Sequence, residues 1–424
     1  MSTVEATAAD APAVVVRNPV ETRRRIRVGV IVGISALLML WMWVTTKSGD
    51  VSFAPTSPFD EHQLSPITFP AQQTALISLL IMVGLGLACV FTRGAVAATL
   101  GFVVGVAFLL GFLCWAYAGQ PLPITNPLQG TLSYATPLIF GAMAGALGER
   151  AGVINIAIEG QFLAGAFAAS VSATVFGNYM GLIGGAAAGV VIAALLALFA
   201  IRYLVNQIVL GVVLVVFAGG ITSFLLDQIP QDKQLTLNNP VVLQPKAIPG
   251  LSNIPVVGPA LFTQTVLVYI MYASVVLVTF LLFETKWGLR VRAVGEHPTA
   301  ADTVGIKVKW VRWQAVLLGG VFAGLGGAFF TVGTNGAFDK DVSAGNGFIA
   351  LAALIMGRWH PIGATLAALF FGFVFQMQNQ LQLLQRIPSE LLGMTPYIAT
   401  VIAVAGFVGR VRPPAADGEP YVKG

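Results

Sequence analysis

The chain has 424 residues, of which 56% are hydrophobic and 10% charged, where an average soluble domain carries about 25% charged residues. That composition excludes disorder over most of the length and makes this a membrane protein, so its 47 Gly and 23 Pro read as close helix contacts and helix breaks rather than as linkers. The +5 formal charge and pI near 9.3 raise nucleic acid as a partner, while Cys89 and Cys114, both inside apolar runs, exclude a disulfide framework or a zinc cluster.

In chain order, the first residues (MSTVEATAADAPAVVVRNPV) are Ala-rich and the basic ETRRRIR follows them, which disfavours a cleaved signal peptide and predicts a cytoplasmic tail over residues 1–27. Apolar runs long enough to cross a ~30 Å hydrocarbon layer as helices follow at about 28–46, 71–92, 95–118, 130–148, 152–175, 181–203, 208–226, 264–283, 313–333, 361–380 and 396–409. A shorter run at about 344–357 (AGNGFIALAALIMG) reaches only about 21 Å at ~1.5 Å per residue and reads as half of a broken helix. The predicted fold class is therefore all-α, a polytopic membrane protein of about 10–12 transmembrane segments with broken helices.

If the N-terminus is cytoplasmic and all these segments cross, 18 of the 23 Lys and Arg lie inside, among them Arg23, Arg24, Arg25, Arg27, Arg93, Arg290, Arg292, Lys307, Lys309, Arg312, Arg410 and Arg412. A Lys/Arg excess on one side is the topological signature of membrane insertion, so no nucleic-acid partner is expected. The outer loop at about 227–263 contains Pro230, Pro240, Pro245, Pro249, Pro255 and Pro259, which disfavour long helices and suit either an ordered surface for an external partner or a plain connector. The inner loop at about 284–312 (ETKWGLRVRAVGEHPTAADTVGIKVKWVR) is the most charged stretch.

Residues 137–148 (PLIFGAMAGALG) align without gaps to 316–327 (VLLGGVFAGLGG), matching Leu138 with Leu317, Gly141 with Gly320, Ala144 with Ala323, Gly145 with Gly324 and Gly148 with Gly327. The topology places the two copies in opposite orientations. That is the inverted-repeat pattern of transporters, whose discontinuous helices border the substrate path; low complexity alone is the competing explanation.

Glu159, within AGVINIAIEGQFLAGAF, is the carboxylate placed well inside the membrane, with Asn155 and Gln161 as polar neighbours. An acid at a helix centre costs about 2.5–3.5 kcal/mol on insertion scales, so it faces a partner or a cavity. Two roles stay open: satisfying backbone groups freed by a break beside Gly152 and Gly160, or meeting a substrate directly. His62, His297 and His360 lie in loops, so no intramembrane metal site is expected, and no P-loop motif occurs. In GEHPTAADTVG, Pro298 suits the first turn of a helix, Asp302 lies within it and Gly305 suits its left-handed end. The result is a helix of about two turns, too short to span, lying on the cytoplasmic surface where another protein can grip it.

Three segments, GERAGVINIAIEGQFLAGAF, KWGLRVRAVGEHPTAADTVGIKV and GNGFIALAALIMGRWHPIGA, together resemble the permease subunits of ABC importers in the ribose/branched-chain amino acid permease family, and within it the nucleoside (simple-sugar-like) branch. The resemblance covers roughly residues 130–410 and implies a permease core there, N-terminal spans and an outer loop with Asp60, Glu61 and His62 over 28–129, and a cytoplasmic C-terminal tail over 411–424. It implies a transport subunit without enzymatic activity, in a bacterial cytoplasmic (inner) membrane with both termini inside. Its partners would be a second homologous permease, a cytoplasmic ATPase that binds the ATP and Mg, and an extracytoplasmic substrate-binding lipoprotein. By the family's motifs, Gly295, Glu296, His297, Pro298, Ala300, Ala301 and Gly305 belong to the coupling helix at the ATPase contact. Asn155, Glu159, Gly160 and Gln161 lie beside the substrate path, and Asn346 and Phe348 line it in the second broken helix. The N-terminal extension departs from the family, whose members commonly lack it. The expected cargo is a nucleoside, with ribose-type sugars and branched-chain amino acids as alternatives; a secondary transporter, a channel and a membrane scaffold are rivals of other classes.

Overall fold

The computed structural model describes residues 19–55, 64–384, 388–402 and 412–422. The tail over 1–18, Asp60, Glu61 and His62, Arg410 and the latter half of the last expected span lie outside the described residues. The described residues form two compact units, one within residues 1–54 and 65–122, the other within 55–64 and 123–424.

The first unit contains α1 (Pro19–Thr45), the paired strands β1 (Asp50–Ala54) and β2 (Ile67–Pro70), α2 (Ala71–Phe91) and α3 (Gly94–Ala116). Small residues let the helices meet: a Cβ on Gly86 would lie 2.6 Å from Val32, and one on Gly111 would collide with Met39. Trp41 and Trp115 lie 5.4 Å apart, with the Trp115 indole N–H donating to Thr45 Oγ1 at 2.9 Å. At the opposite end of α1, Glu21 pairs with both Arg25 and Arg93.

The second unit runs α4 (Thr125–Arg150), α5 (Ile158–Phe176), α6 (Asn178–Ala197), α7 (Gln207–Asp227), the short α8 (Gln234–Leu237) and α9 (Val257–Phe262), α10 (Val266–Glu284), α11 (Lys286–Glu296), α12 (Pro298–Thr303), α13 (Val308–Ala328), α14 (Asn346–Met356), α15 (Pro361–Leu383), α16 (Ser389–Gly393) and α17 (Thr395–Ile402). Among the described residues, eight helices are long and apolar enough to cross a membrane. This is the expected all-α polytopic architecture, and α14 is the expected short helix. One expected span is trimmed: the run at 152–175 begins as a helix only at Ile158, because residues 151–157 form a turn around Gly152 at φ +82°. The Pro-rich loop at 227–263 holds only α8, α9, a three-residue 3₁₀ turn and a two-residue antiparallel pairing of 246–247 with 263–264.

At the centre, α13 is packed on α4, α5 and α6, and 78% of its most apolar stretch is buried within the chain, against 11% for α1. Glycines make this crossing possible. A Cβ on Gly324 would stand 2.2 Å from the Gly185 carbonyl, and one on Gly189 2.3 Å from the Gly320 carbonyl, so any side chain there would force the backbones apart. Gly319 faces Ala144 while Gly326 faces Phe140, so the two copies of the sequence repeat, on α4 and α13, run antiparallel.

Candidate functional site

Beyond α13, a π-helical stretch (Phe329–Asn335) leads into an irregular segment that turns at Asp341, Ala344 and Gly345, all with positive φ, before α14 begins. The N-terminus of α14 thus exposes backbone N–H groups inside the bundle, and its cap residue Gly345 has no side chain to satisfy them. Glu159, in the first turn of α5 and 3% exposed, supplies the missing acceptor. Its Oε1 accepts from Ser343 Oγ at 2.6 Å and from the Gly345 N–H at 2.8 Å, and its Oε2 accepts from the Gly347 N–H at 2.6 Å. A carboxylate at a helix N-terminus is favoured by both charge-assisted bonds and the helix dipole. Gly347 makes the approach possible: a Cβ there would lie 2.5 Å from the Glu159 backbone nitrogen. The break that Glu159 serves is therefore the distant one before α14, where the sequence pointed to the adjacent one at Gly152 and Gly160.

At the adjacent break the N–H groups of residues 151–153 return to the Gly148 and Glu149 carbonyls, and the Asn155 N–H meets the Glu149 carboxyl. The Ile154 N–H donates to Gln207 Oε1 at 2.7 Å, and Asn155 Nδ2 donates to Gln161 Oε1 at 3.2 Å. That last pair leaves Asn155 Oδ1 and Gln161 Nε2 buried without a protein partner, one free acceptor and one free donor where buried polar groups ordinarily find a partner. Gly160 contributes no lining group; it seats α5 against the Leu214 carbonyl of α7, 2.9 Å from where its Cβ would be. Asn346 Nδ2 donates to the Ser343 carbonyl at 2.8 Å, and Phe348 is 47% exposed. Glu159, Asn346 and Phe348 thus meet around one helix end, and Asn155 pairs with Gln161.

At one end of the unit lies the second group of expected residues. Thr285 caps α11 by accepting from the Gly288 N–H at 3.0 Å. Pro298 opens α12, and Gly305 at φ +87° closes it while its N–H donates to the Asp302 carbonyl at 2.9 Å and the Ile306 N–H to the Ala301 carbonyl at 3.1 Å, the paired bonds of a left-handed helix stop. Glu296, His297, Ala300 and Gly305 are exposed. Gly295 and Ala301 are buried, and a Cβ on Gly295 would stand 2.1 Å from the Arg150 carbonyl. The short helix is thereby anchored on one side and open on the other.

Two features of this end lay unread in the sequence. The C-terminal residues 412–422 fold onto it: the Ala416 N–H donates to the Gly295 carbonyl at 2.9 Å, Arg312 Nη1 to the Glu419 carbonyl at 2.8 Å, and buried Tyr421 shares a hydrogen bond with Asp302. Burial pushes the Asp417 carboxyl up to about 7, against the opposing pull of Arg312. The motifs GER and RWHP also meet, with Trp359 Nε1 donating to the buried Glu149 carboxylate and Arg150 Nε to the Trp359 carbonyl at 2.9 Å. His360 stacks on Phe283 at 4.7 Å, and Arg150 and Arg292 lie over that same ring.

Residues 127–405 match the family described as branched-chain amino acid transport system / permease component. The chain belongs to this permease family. Among its curated relatives, the guanosine ABC transporter permease protein NupQ of Bacillus subtilis (strain 168) is 41% identical over 72% of this chain and 98% of its own length. The nucleoside ABC transporter permease protein NupC of Lactococcus lactis subsp. cremoris (strain MG1363) is 39% identical over 71% of this chain and 99% of its own. A putative glucose ABC transporter permease protein, TsgC13 of Haloferax volcanii, is 34% identical over 60% of this permease and 77% of its own length. No solved structure matches the permease. The family match begins at residue 127, so α1, α2 and α3 lie ahead of it.

Proposed function

We propose that this ABC permease is the membrane subunit of an ATP-driven nucleoside importer in a bacterial cytoplasmic membrane, with both termini inside. The observation that carries the reading is its similarity to NupQ and NupC across 98% and 99% of their lengths. The geometry supports it at two places. The half-helix α14 ends inside the bundle on a carboxylate from the antiparallel half, an arrangement suited to bordering a substrate path. The exposed turn from α11 into α12 offers Glu296, His297 and Ala300 to a cytoplasmic ATPase, which would hold the ATP and Mg. A second homologous permease and an extracytoplasmic binding lipoprotein complete the importer, and transport proceeds by alternating access. The glucose permease among the relatives favours simple sugars as the second reading of the cargo.

The test is uptake of labelled guanosine, uridine, ribose and leucine by cells with and without the gene, energised and ATP-depleted. Loss of ATP-dependent nucleoside uptake on deletion is the expected result. Loss of ribose or leucine uptake alone overturns the cargo, and uptake that persists without ATP overturns the energy source. For the ATPase contact, Glu296→Arg is expected to leave membrane insertion intact while ATPase association weakens and uptake falls; wild-type uptake by this variant would refute the assignment of α12.

A further inference from the structure

Near its C-terminal end, α15 departs from the rest of the unit's apolar helices. The stretch FQMQNQLQL places Gln376, Gln378, Asn379, Gln380 and Gln382 within seven residues of a helix that is long and apolar enough to cross a membrane. These amides occupy the last two turns of the helix, at the end of its apolar stretch, and polar groups there call for partners. Gln376, Asn379, Gln380 and Leu383 recur at the spacing of one helical face, and with Gln382 they line an open cavity of about 360 Å³. All five described lining residues lie on α15, so they form an open patch along one helix.

The neighbouring helix α4 is cut to fit this face. Gly130 leaves room for the Gln376 amide, whose Oε1 would stand 2.1 Å from a Cβ at that position. One turn further on, the Tyr134 ring stacks on Phe375 at 5.9 Å with 23° between the planes, and the Asn379 amide donates to its hydroxyl. The described residues lining the cavity carry amide and aliphatic side chains and no ionisable one. A ligand with alternating donors and acceptors along one edge fits this face, since each amide presents a donor beside an acceptor. The polar edge of a nucleobase has that form, and Asn and Gln read it by paired hydrogen bonds.

We infer that the α15 amide face, with Tyr134 and Phe375 beside it, is a binding subsite for the base of a nucleoside on its way through the permease. The inference rests on the nucleoside reading above and adds which side chains meet the base. The amides take its hydrogen-bonding edge, and the aromatic pair offers a flat apolar surface to its ring.

The test uses membrane vesicles carrying the complete importer. Guanosine is compared with purine riboside, whose base has no exocyclic oxygen or amino group. For Asn379→Ala, guanosine uptake below saturation is expected to fall about 10-fold while purine riboside uptake changes less than about 2-fold. Equal losses for both, or no loss for either, overturn the subsite. A second measurement is independent of transport: thiol labelling of the Asn379→Cys variant, over the background of Cys89 and Cys114, is expected to be slowed by guanosine and not by ribose. Equal protection by ribose, no protection, or a thiol shielded in the assembled importer regardless of ligand each overturns it. Wild-type vesicles that take up ribose or leucine but no nucleoside refute the cargo itself, and that failure is visible before any variant is compared.

Discussion

The two helix breaks of the permease core are solved by different chemistry. Ahead of α5, at 151–157, the backbone N–H groups are shared among several acceptors: the Gly148 and Glu149 carbonyls, the Gln207 amide and the Glu149 carboxyl. Ahead of α14, at 336–345, they converge on the single carboxylate of Glu159. The difference ties the halves together in one direction. The first half lends the second a carboxyl cap, which ties the N-terminus of α14 to the first turn of α5.

The largest expected effect comes from removing that cap. Glu159→Ala leaves Ser343 Oγ and two N–H groups without an acceptor, each unmet buried group costing about 1–3 kcal/mol, and the purified complex is expected to lose thermal stability along with nearly all transport. An unchanged melting temperature would show that the second break does not depend on the first. Glu159→Gln sharpens the comparison, because its amide keeps one oxygen for Ser343 and Gly345 but turns a donor toward the Gly347 N–H. Reduced transport with the complex still assembled is expected, and wild-type kinetics would mean that charge at this position is dispensable.

Next in size is Gly347→Ala, whose added carbon would lie 2.5 Å from the Glu159 backbone. Overpacking of this kind costs about 1–3 kcal/mol, and a lowered melting temperature with weakened uptake is the expected outcome. The matching change at the first break, Gly152→Ala, meets Arg312 and the Ala416 carbonyl at 2.8 and 2.9 Å from a residue at φ +82°. Its expected signature is faster hydrogen exchange in residues 412–422, with α14 unaffected. Loosening of α14 instead would show that the two breaks move as one.

The smallest effect is a pH dependence confined to the C-terminal segment. Asp417 has its carboxyl raised to about 7 when docked, above its ordinary value, so docking takes up a proton. Docking is therefore tightest below the ordinary carboxylate range and weakens as pH rises through about 7. Limited proteolysis of the segment is expected to be slower at pH 5.5 than at pH 8, a contrast that Asp417→Asn should abolish. Equal rates for the wild-type chain at both pH values would exclude Asp417 as the titrating group.

How far the sequence could be read varies with the range of the interaction. Pro298 and Gly305 marked both ends of α12 because caps and left-handed stops are set by a residue and its near neighbours. The isolated charge of Glu159 was visible for the same reason, since an acid in an apolar run is anomalous wherever it sits. Its partners were not visible: Ser343 and Gly347 lie 184 and 188 residues away, and a backbone N–H leaves no trace in composition. The α15 amides stood in plain view as FQMQNQLQL, yet only their shared face beside Gly130 and Tyr134 turns them from scattered polar residues into a lining. Nor did periodicity announce that residues 412–422 dock, because that segment has no amphipathic pattern and is held by scattered hydrogen bonds to Gly295, Glu296, Asp302 and Arg312.

By itself, the sequence determined the solvent, the helical class, the boundaries of most helices and the family. Those follow from the length of apolar runs and from local caps, which depend on near neighbours and on transfer out of water. Tertiary structure alone decided which break Glu159 caps, which face of α12 is open and where the chain's end comes to rest. Each of these is a meeting of groups far apart in sequence, whose energy exists only once the helices have packed closely enough for glycine-lined backbones to touch.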